Sequence, residues 1–450
     1  MLKKVRLILQ YQDNRGFSLI EALLGIIILA VASISLFALI NFTLKVIWES
    51  RAKITATQLA NQKIEMAQNL SYENVGTVGG IPAGLVPASE IIKLNGADYE
   101  VITEVQYVDD PFDGTLGGDP DDTLNTDYKK IRVEVSWPYR LTHQPIVFIT
   151  NIVPPGLESS VGGGTLKILV YNAYGQPVAQ ANVNIVNTTV DPNININTLT
   201  DNQGYVIRPG SPEAIESYKI NILKEGYSAE QTYDSTPELP SPEKPHASVF
   251  EGEMTNISFA IDLLSDLNIK LQNENGIGLS GVILNVRGDK TIGLDAEEGY
   301  VYKYNQNHTS NASGSIILSS IEWDTYNFMM PESAVYNISE TVPLQPLNLL
   351  PATSTDVTIT LAPKAEHSAL VIVKDVNEQP LGDATVHFYT LNLSFDETII
   401  TDTSGQAYFT PWTDATSTLD ITLPGFENYS DTFDLSGYHI EQVILVNEYY

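Results

Sequence analysis

The 450-residue chain contains no cysteine and few basic residues. Without cysteine it can form no disulfide and offers no thiolate for catalysis or metal binding. It has 24 Lys and Arg against 55 Asp and Glu, which gives a formal net charge of −31 at pH 7. We expect no nucleic acid among its partners, because this charge would repel a phosphate backbone. The acidity instead suits a well-solvated protein surface.

Recognisable catalytic motifs are also missing. The histidines form no His-Glu-x-x-His zinc pattern, and the sequence has neither a Gly-x-Ser-x-Gly nucleophile elbow nor a Gly-x-x-x-x-Gly-Lys-Ser/Thr phosphate loop. Pairs of carboxylates carry little information in so acidic a chain. We therefore expect that the protein is not an enzyme. The six scattered histidines are His143, His246, His308, His367, His387 and His439.

The N-terminal region is rich in long apolar side chains and lacks proline as far as residue 81. No charged residue lies between Ala22 and Leu44. At about 1.5 Å per residue, this run makes a helix about 35 Å long, enough to span a bilayer. Four Lys and Arg residues precede the run, and this basic leader predicts a cytoplasmic N-terminus.

The residues from Gly16 to Glu21 read Gly-Phe-Ser-Leu-Ile-Glu. This stretch resembles the cleavage site of the type IV prepilin family, which includes pilins and the pseudopilins of secretion systems. The resemblance implies that a prepilin peptidase cuts after Gly16 and methylates the new N-terminal residue, Phe17. It also implies that Glu21 pairs with the N-terminal amine of a neighbouring subunit during filament assembly. A buried carboxylate needs such neutralisation, since a charge at the bilayer centre costs up to about 3 kcal/mol.

Two other interpretations compete with this one. A secretory signal peptide would have a shorter apolar run, followed by a cleavage site of small residues. A plain membrane anchor would explain the hydrophobicity but not the Gly-Phe-Ser-Leu-Ile-Glu entry. The prepilin interpretation is therefore favoured. Cleavage after Gly16 would remove residues 1–16 as a leader and leave a mature chain with a net charge of −34.

After Leu44 the sequence turns amphipathic, which predicts that one helix continues over residues 17–70. We expect its first half in lipid or in a filament core and its second half against a globular head. The apolar stripe expected to pack there comprises Ile47, Trp48, Ile54, Leu59, Ile64 and Met66.

Residues 71–157 are predicted to form that head. Three segments, near 99–108, 130–137 and 146–153, alternate apolar and polar residues as half-buried strands do. A small antiparallel sheet packed on the helix would bury their apolar faces.

A loop between the first two head strands is rich in aspartate. Clustered carboxylates in a Gly- and Pro-containing loop can hold a hard cation, so calcium is one interpretation. The spacing is not that of an EF-hand, and an acidic turn without metal is the favoured alternative. No other cofactor is expected. The candidate ligands are Asp109, Asp110, Asp113, Asp119, Asp121 and Asp122.

Beyond a glycine-rich linker at 158–164, the chain repeats with a period near 100 residues. The copies cover 165–263, 264–365 and 366–450, and each has short alternating strands around an Asx-x-x-Gly turn. Such strands and turns predict β-sandwiches. The pattern resembles the carboxypeptidase regulatory-like, transthyretin-like domain family, whose modules accompany peptidases but are not catalytic. The turns begin at Asp201, Asn311 and Asp402.

The predicted fold is thus an α+β pilin-like module, made of a long N-terminal helix and a small antiparallel sheet, followed by three all-β sandwich domains. The predicted function is that of a minor pilin in a type IV pilus-like filament, displaying the modules for adhesion to an extracellular ligand. The alternative is a structural pseudopilin of a type II secretion or DNA-uptake system, with the modules as spacers. We expect a single-pass protein of the bacterial cytoplasmic membrane, with its C-terminal part outside the cytoplasm or in a filament.

Overall fold

A computed structural model describes residues 18–122, 124–138, 144–155, 162–365, 367–390, 395–410, 415–435 and 437–447. The chain divides into two compact units, Met1–Val108 with Asp127–Glu158 and Asp109–Thr126 with Ser159–Tyr450, and each is described by itself. The observed architecture is one long helix followed by mainly antiparallel sheets in sandwich-like domains, which confirms the predicted fold class.

The first unit is built on one helix, α1, from Leu19 to Gln68. Ser18 caps its N-terminus, where the Ser18 side chain accepts a hydrogen bond from the backbone N–H of Glu21 at 3.3 Å. At the other end the Asn69 backbone N–H donates to the carbonyl of Glu65. The prolonged absence of proline lets this ladder of hydrogen bonds run for 50 residues without a break.

The second half of α1 packs on the head sheet through small side chains. The packed face was predicted wrongly in part, because Ile47, Ile54 and Met66 are 44%, 57% and 44% exposed. Alanine side chains let the helix axis come close to the sheet, and larger side chains would hold it away. Leu59 and Ile64 do contact the head core. The buried helical residues are Ala52, Thr55, Ala56, Leu59, Ala60, Lys63 and Ala67.

The head is a four-stranded antiparallel sheet in the order β1-β2-β3-β4. Buried and less buried residues alternate along strands β2 and β3, so the buried residues lie on one face of the sheet, which packs against α1. Sequence analysis missed β1, an edge strand that is largely exposed and therefore shows only weak alternation. A short 3₁₀ turn, Tyr72–Asn74, follows the helix. The strands are β1 Ser89–Leu94, β2 Ala97–Val108, β3 Tyr128–Ser136 and β4 Ile146–Ile152.

The second unit contains three sandwich modules, and in each the first and last strands pair in parallel. In module 1 the sheets run β13-β5-β8 and β10-β9-β6-β7, with β12 also on β9. Its strands are β5 Gly164–Tyr171, β6 Asn182–Asn187, β7 Ile194–Leu199, β8 Tyr205–Ser211, β9 Ala214–Leu223, β10 Glu230–Gln231, β11 Ser241–Pro242, β12 Ala247–Val249 and β13 Met254–Ala260.

Module 2 has the sheets β19-β14-β23-β21 and β18-β15-β20-β22, and a hairpin of β16 and β17 is added to them. Its strands are β14 Ser265–Asn273, β15 Ile283–Gly288, β16 Thr291–Leu294, β17 Tyr300–Tyr302, β18 Asn305–Thr309, β19 Ser315–Ile321, β20 Asp324–Met329, β21 Tyr336–Val342, β22 Leu347–Leu349 and β23 Ser354–Pro363.

Module 3 has the sheets β27-β24-β30 and β26-β25-β28-β29. Its strands are β24 Ser368–Asp375, β25 Thr385–Thr390, β26 Asp396–Ile400, β27 Gln406–Phe409, β28 Ala415–Thr422, β29 Tyr429–Leu435 and β30 Tyr438–Leu445.

The Asx-x-x-Gly turn has the same geometry in all three modules. The backbone carbonyl of Asp201 accepts from Gly204 N at 3.1 Å, and its carboxylate accepts from the next backbone N–H groups. Gly204 has φ +77°, and a Cβ there would lie 2.4 Å from the carbonyl oxygen of Val170, so only glycine fits. The corresponding pairs are Asn311 with Gly314 and Asp402 with Gly405.

The end of the predicted linker is packed rather than free. A Cβ on Gly163 would lie 2.2 Å from the Ser211 carbonyl oxygen, and one on Gly164 would lie 2.2 Å from that of Phe250. Gly164 is already the first residue of β5. These glycines therefore serve close packing at the entry to module 1, while residues 158–161 of the predicted linker lie outside the described residues.

Candidate assembly and interaction sites

The predicted processing site falls at the start of the described chain. Gly16 and Phe17 lie outside the described residues, so the cleavage site remains a sequence prediction. Glu21 lies in the first turn of α1 and is exposed. In the part of the helix that the structure describes, its carboxylate meets no cation. Glu21 is thus an exposed carboxylate at the N-terminal end of an apolar helical surface.

The first half of α1 is apolar on every side. An 18-residue window of this helix is long and apolar enough to cross a membrane, and none of the window is buried. A core helix of a soluble protein would be mostly buried, whereas a signal sequence near the N-terminus would share this property. The exposed apolar surface therefore fits a membrane anchor or a helix that packs among other helices.

Polar side chains in the apolar half are satisfied within the helix itself. Each bonds the carbonyl four residues earlier, so none needs water or a partner helix. Glu21 differs from them, because an ionised carboxylate has no proton to donate to a carbonyl and needs a donor or a cation instead. The bonds run from Ser33 Oγ to Leu29 O (2.8 Å), Ser35 Oγ to Val31 O (2.9 Å), Asn41 Nδ2 to Phe37 O (2.9 Å) and Thr43 Oγ1 to Leu39 O (2.8 Å).

Polar contacts also join the packed half of α1 to the head. The indole N–H of Trp137 donates to Glu49 Oε2 at 3.3 Å, close to where burial of the helix begins. Nearer the C-terminal end of the helix, Lys63 Nζ lies 2.5 Å from Glu90 Oε1 on β1, and both side chains are largely buried. These contacts fix the height and rotation of the helix on the sheet.

A buried lysine holds the segment that follows the helix. Lys129 is 1% exposed, and its Nζ donates to the carbonyls of Tyr72 and Val75, each at 2.7 Å. The same ammonium lies 4.4 Å from the centre of the Tyr72 ring. Burial lowers the pKa of Lys129 to about 8, although Glu73 acts in the opposite direction. Sequence analysis missed this residue, because it reads as an ordinary polar position of a strand.

In the acidic loop, most of the predicted calcium ligands bond the loop's own backbone. Asp109 Oδ2 accepts from Leu116 N at 3.0 Å, and Asp121 Oδ1 accepts from Gly117 N at 2.7 Å. Such bonds give these aspartates a structural role without metal. Asp110 Oδ1 accepts likewise from Phe112 N (3.2 Å), and Asp122 Oδ1 accepts from Leu124 N (2.9 Å).

The six aspartates do not converge as one set. Among them, carboxylate oxygens of Asp113 and Asp122 lie within 4.8 Å of each other. Asp113 and Asp119 are exposed. Two close carboxylates can contribute to a calcium site, but the ion takes six to eight oxygen ligands. Calcium binding therefore stays a prediction.

Modules 1 and 2 are joined by a shared sheet and by charges. Strand β11, from the proline-rich loop of module 1, pairs with β16 of module 2. Beside it, Lys303 Nζ of module 2 lies 3.6 Å from Glu230 Oε2 of module 1 and 2.8 Å from Glu322 Oε2. Burial disfavours the charged amine, but these two carboxylates outweigh it and raise the pKa of Lys303. The joint therefore resists bending.

Modules 2 and 3 are joined by a shared core and by amide bonds. The side chain of Gln406 accepts from Thr341 N and donates to Thr341 O, both at 2.9 Å, as a neighbouring strand would. Leu370 and Ile372 of module 3 belong to the hydrophobic core of module 2. Asn337 Nδ2 also donates to Ser368 Oγ at 2.7 Å. Modules 2 and 3 are therefore in direct contact through described residues of both.

Comparisons with known proteins leave the family open. No protein-family model and no curated protein matches the chain. Among solved structures it is similar to the Bacillus anthracis TIE protein, with 13% identity over 80% of this chain and 73% of that one and a TM-score of 0.19. A streptococcal ancillary pilin (9% identity, 64% and 100% covered, TM-score 0.18) and BcpA, the major pilin subunit of Bacillus cereus (9%, 64% and 100%, TM-score 0.17), are similar at the same level. Similarities this weak carry no argument about function.

Proposed function

We propose that this chain is a prepilin-type subunit, most simply a minor pilin of a type IV pilus-like filament. The observation that carries the proposal is the two-part helix. Its first half is apolar and exposed on every side, and its second half is packed on a small antiparallel sheet. Both parts are accounted for if the first half of the helix lies in lipid before assembly and between other subunits afterwards, while the second half carries the head.

The proposed assembly contact is between Glu21 and the N-terminal amine of Phe17 on a neighbouring subunit. Prepilin peptidase would cut after Gly16 and methylate Phe17, leaving that residue as the amine partner. The polar side chains deeper in the apolar half already have acceptors within the helix, so Glu21 is the group for which the partner must provide a charge. The other partners are pilin or pseudopilin subunits and the membrane.

The proposed role of the three modules is display outside the cytoplasm. The modules contact one another directly, so they would act together as one display element. A role in adhesion requires recognition rather than catalysis, so we propose no enzymatic activity. An arm of three modules on every subunit would crowd a thin filament, which favours a subunit present in few copies.

The alternative is a pseudopilin of a type II secretion or DNA-uptake machine, in which the modules are spacers. The firm joints suit a spacer as well as a display arm. The two roles differ in what the outer surface of the modules does. Substitutions there should weaken cell or surface attachment by an adhesin, and they should leave secretion or uptake by a spacer-bearing machine unchanged.

Glu21→Ala tests the assembly contact. We expect the variant to be processed and retained in the membrane but lost from sheared filaments, because its apolar helix is intact and only the ion pair is missing. Glu65→Ala, an exposed carboxylate in the packed half of the same helix, is the matched control and should assemble normally. Filament incorporation of Glu21→Ala at the parent level would contradict the proposal.

Calcium in the acidic loop is a secondary proposal. If the ion binds there, calcium should raise the thermal midpoint of the parent chain, and Asp113→Asn should remove most of that rise. The substitution is nearly isosteric and leaves the hydrogen bond from Leu124 N to Asp122 in place. A parent chain with the same midpoint in calcium and in chelator would instead assign these aspartates to the turn alone.

A further inference from the structure

The outward face of one sheet in module 1 carries a cluster of amide side chains. Asn184 on β6 lies between the core residues Val183 and Ile185, so its side chain faces away from the core. Its Nδ2 donates to Asn197 Oδ1 at 2.9 Å and to Asn195 Oδ1 at 3.2 Å, both on β7. On the other side of β6, Asn184 is paired with Asn221 of β9.

Module 2 repeats this arrangement on the corresponding strands. Asn285 on β15 lies between the core residues Leu284 and Val286. Its Nδ2 donates to Asn305 Oδ1 at 2.9 Å and to Asn307 Oδ1 at 3.0 Å, both on β18. We call each set of three Asn side chains an asparagine ladder. In both ladders a central Asn donates to two Asn side chains that lie about 7 Å apart along the next strand.

The ladders leave hydrogen-bonding groups exposed to solvent. The four outer residues, Asn195, Asn197, Asn305 and Asn307, are exposed, and their oxygens are held by the central Asn. Among the described residues, their NH₂ groups donate no hydrogen bond. Each ladder thus presents a pair of oriented donors, and the bond from the central Asn limits their rotation.

These faces lack acidic residues in a strongly acidic chain. The four strands that form the ladders, β6, β7, β15 and β18, contain no Asp or Glu, although the chain has 55. They contain one Arg and no Lys: Arg287 of β15, whose guanidinium lies 4.3 Å from the centre of the Tyr302 ring. Beside the ladder of module 1, Leu199 and Leu223 are half exposed on the same face. An open depression of about 550 Å³ adjoins it, lined by Gln180, Asn182, Leu223, Lys224 and Glu225.

Module 3 has no such ladder at the corresponding position. His387 on β25 occupies the place of the central Asn, bonds Asp396 at 2.8 Å and stacks on Tyr389. Its neighbouring strand β26 carries two acidic residues. The amide faces without acidic residues are therefore a property of modules 1 and 2.

We propose that these amide faces bind a neutral polysaccharide. Sugar hydroxyls both donate and accept hydrogen bonds, and an amide side chain offers both functions without the desolvation cost of a full charge. Apolar side chains beside the ladder can cover the C–H faces of a sugar ring. The protein's charge favours an uncharged polysaccharide, because the surrounding acidic surface would repel a polyanion.

Two equivalent faces suit a ligand that itself repeats. When one polymer contacts both modules, the second contact is intramolecular and strengthens binding beyond that of either site. This inference rests on the proposed adhesive function and gives it a ligand class. It assigns the contact to the outward sheet face of modules 1 and 2 and to the exposed amide NH₂ groups in particular.

The test is binding of the full chain, in detergent, to immobilised dextran, mannan and galactan, with hyaluronan as the polyanion comparison. Asn197→Asp and Asn307→Asp keep the oxygen that accepts from the central Asn, replace the donor and add a charge. We expect each to weaken binding about fivefold and the pair about 25-fold. Asn256→Asp, an exposed Asn on β13 in the opposite sheet of module 1, is the matched control and should bind as the parent does.

Three results would overturn the inference: no binding of the parent to any neutral polysaccharide, equal binding by the double variant, or an equal loss in Asn256→Asp. Thermal midpoints of the variants separate loss of contact from loss of fold. The N-terminal mass and filament incorporation are measured on the same chain. A chain that assembles but binds no polysaccharide contradicts this inference alone, whereas a polysaccharide-binding chain with an intact Met1 contradicts the filament proposal alone.

Discussion

The two halves of α1 belong to one uninterrupted helix, yet their side chains suit different surroundings. The first half has apolar side chains on every side, and its few polar groups bond their own backbone. The second half has small alanines on one face and ionic or polar contacts to the head. The difference shows that helix continuity alone says little about environment. The environment of each half is indicated by its small side chains and by its polar groups that have no local hydrogen-bond partner.

The largest effect should come from enlarging the packed face. Ala60→Leu adds three carbons at a helical position that is fully buried in the head core. We expect the head to lose about 3 kcal/mol of stability or slightly more, the upper end of overpacking costs, because the site is fully buried and side chains and backbone would be forced apart. Thermal or denaturant unfolding of the full chain in detergent measures the loss.

Ala38→Leu in the apolar half is the matched control for this comparison. Ala38 is exposed, so the larger side chain meets no head residue and should leave the unfolding midpoint unchanged. Equal effects of the two substitutions would contradict the division of the helix into two environments.

A pH dependence should also distinguish the head from the apolar half. Lys129 has a pKa of about 8 in the folded head, while an unfolded lysine keeps its proton up to about 10.4. Between these values the unfolded state binds more protons, so stability should rise with pH, by at most about 3 kcal/mol. Unfolding curves from pH 7 to 10 measure this rise.

Two variants assign the rise to Lys129. Lys129→Met has no proton to lose, and Lys129→Arg keeps its charge throughout this range, so both should lack the contribution. Measurements stop at pH 10 because burial raises the pKa of Tyr72 to about 12, which opposes the trend at higher pH. A rise of the same size in both variants would contradict the assignment.

The smallest effect is expected at the boundary between the halves. Trp137→Phe removes the hydrogen bond to Glu49 but keeps an aromatic ring in the core. We expect a loss of about 1 kcal/mol in head stability. Trp48→Phe, on an exposed part of the same region, should cost less. If Trp48→Phe were the more damaging, the boundary would have to lie closer to the N-terminus than Glu49.

The elements that could be predicted from sequence are those with a strong period or a strict backbone requirement. The long helix, the alternating strands β2 and β3 and the turn glycines such as Gly204 belong to this class. The packed face of α1 was partly missed, because the apolar pattern gives weight to large residues and the contact uses Ala56 and Ala60.

Other features depend on pairings that a single sequence does not reveal. Gln406 follows the turn glycine of module 3 and could pass for an ordinary strand residue, yet it holds the joint to module 2. From sequence alone Lys129 would be expected in solvent, but in the structure its ammonium donates to the Tyr72 carbonyl. The asparagine ladders required the register of β6 with β7 and of β15 with β18. Their composition was visible, but their alignment was not.

The central claim is that this chain enters a filament after prepilin-type processing, and the mass of its N-terminus tests that claim most directly. The chain is produced with and without an active prepilin peptidase, and the terminal peptide is measured by mass spectrometry. The account predicts a mature chain that starts at N-methylated Phe17 only when the peptidase is present. An intact Met1 in its presence, or a cut beyond the apolar half of α1, would contradict the account.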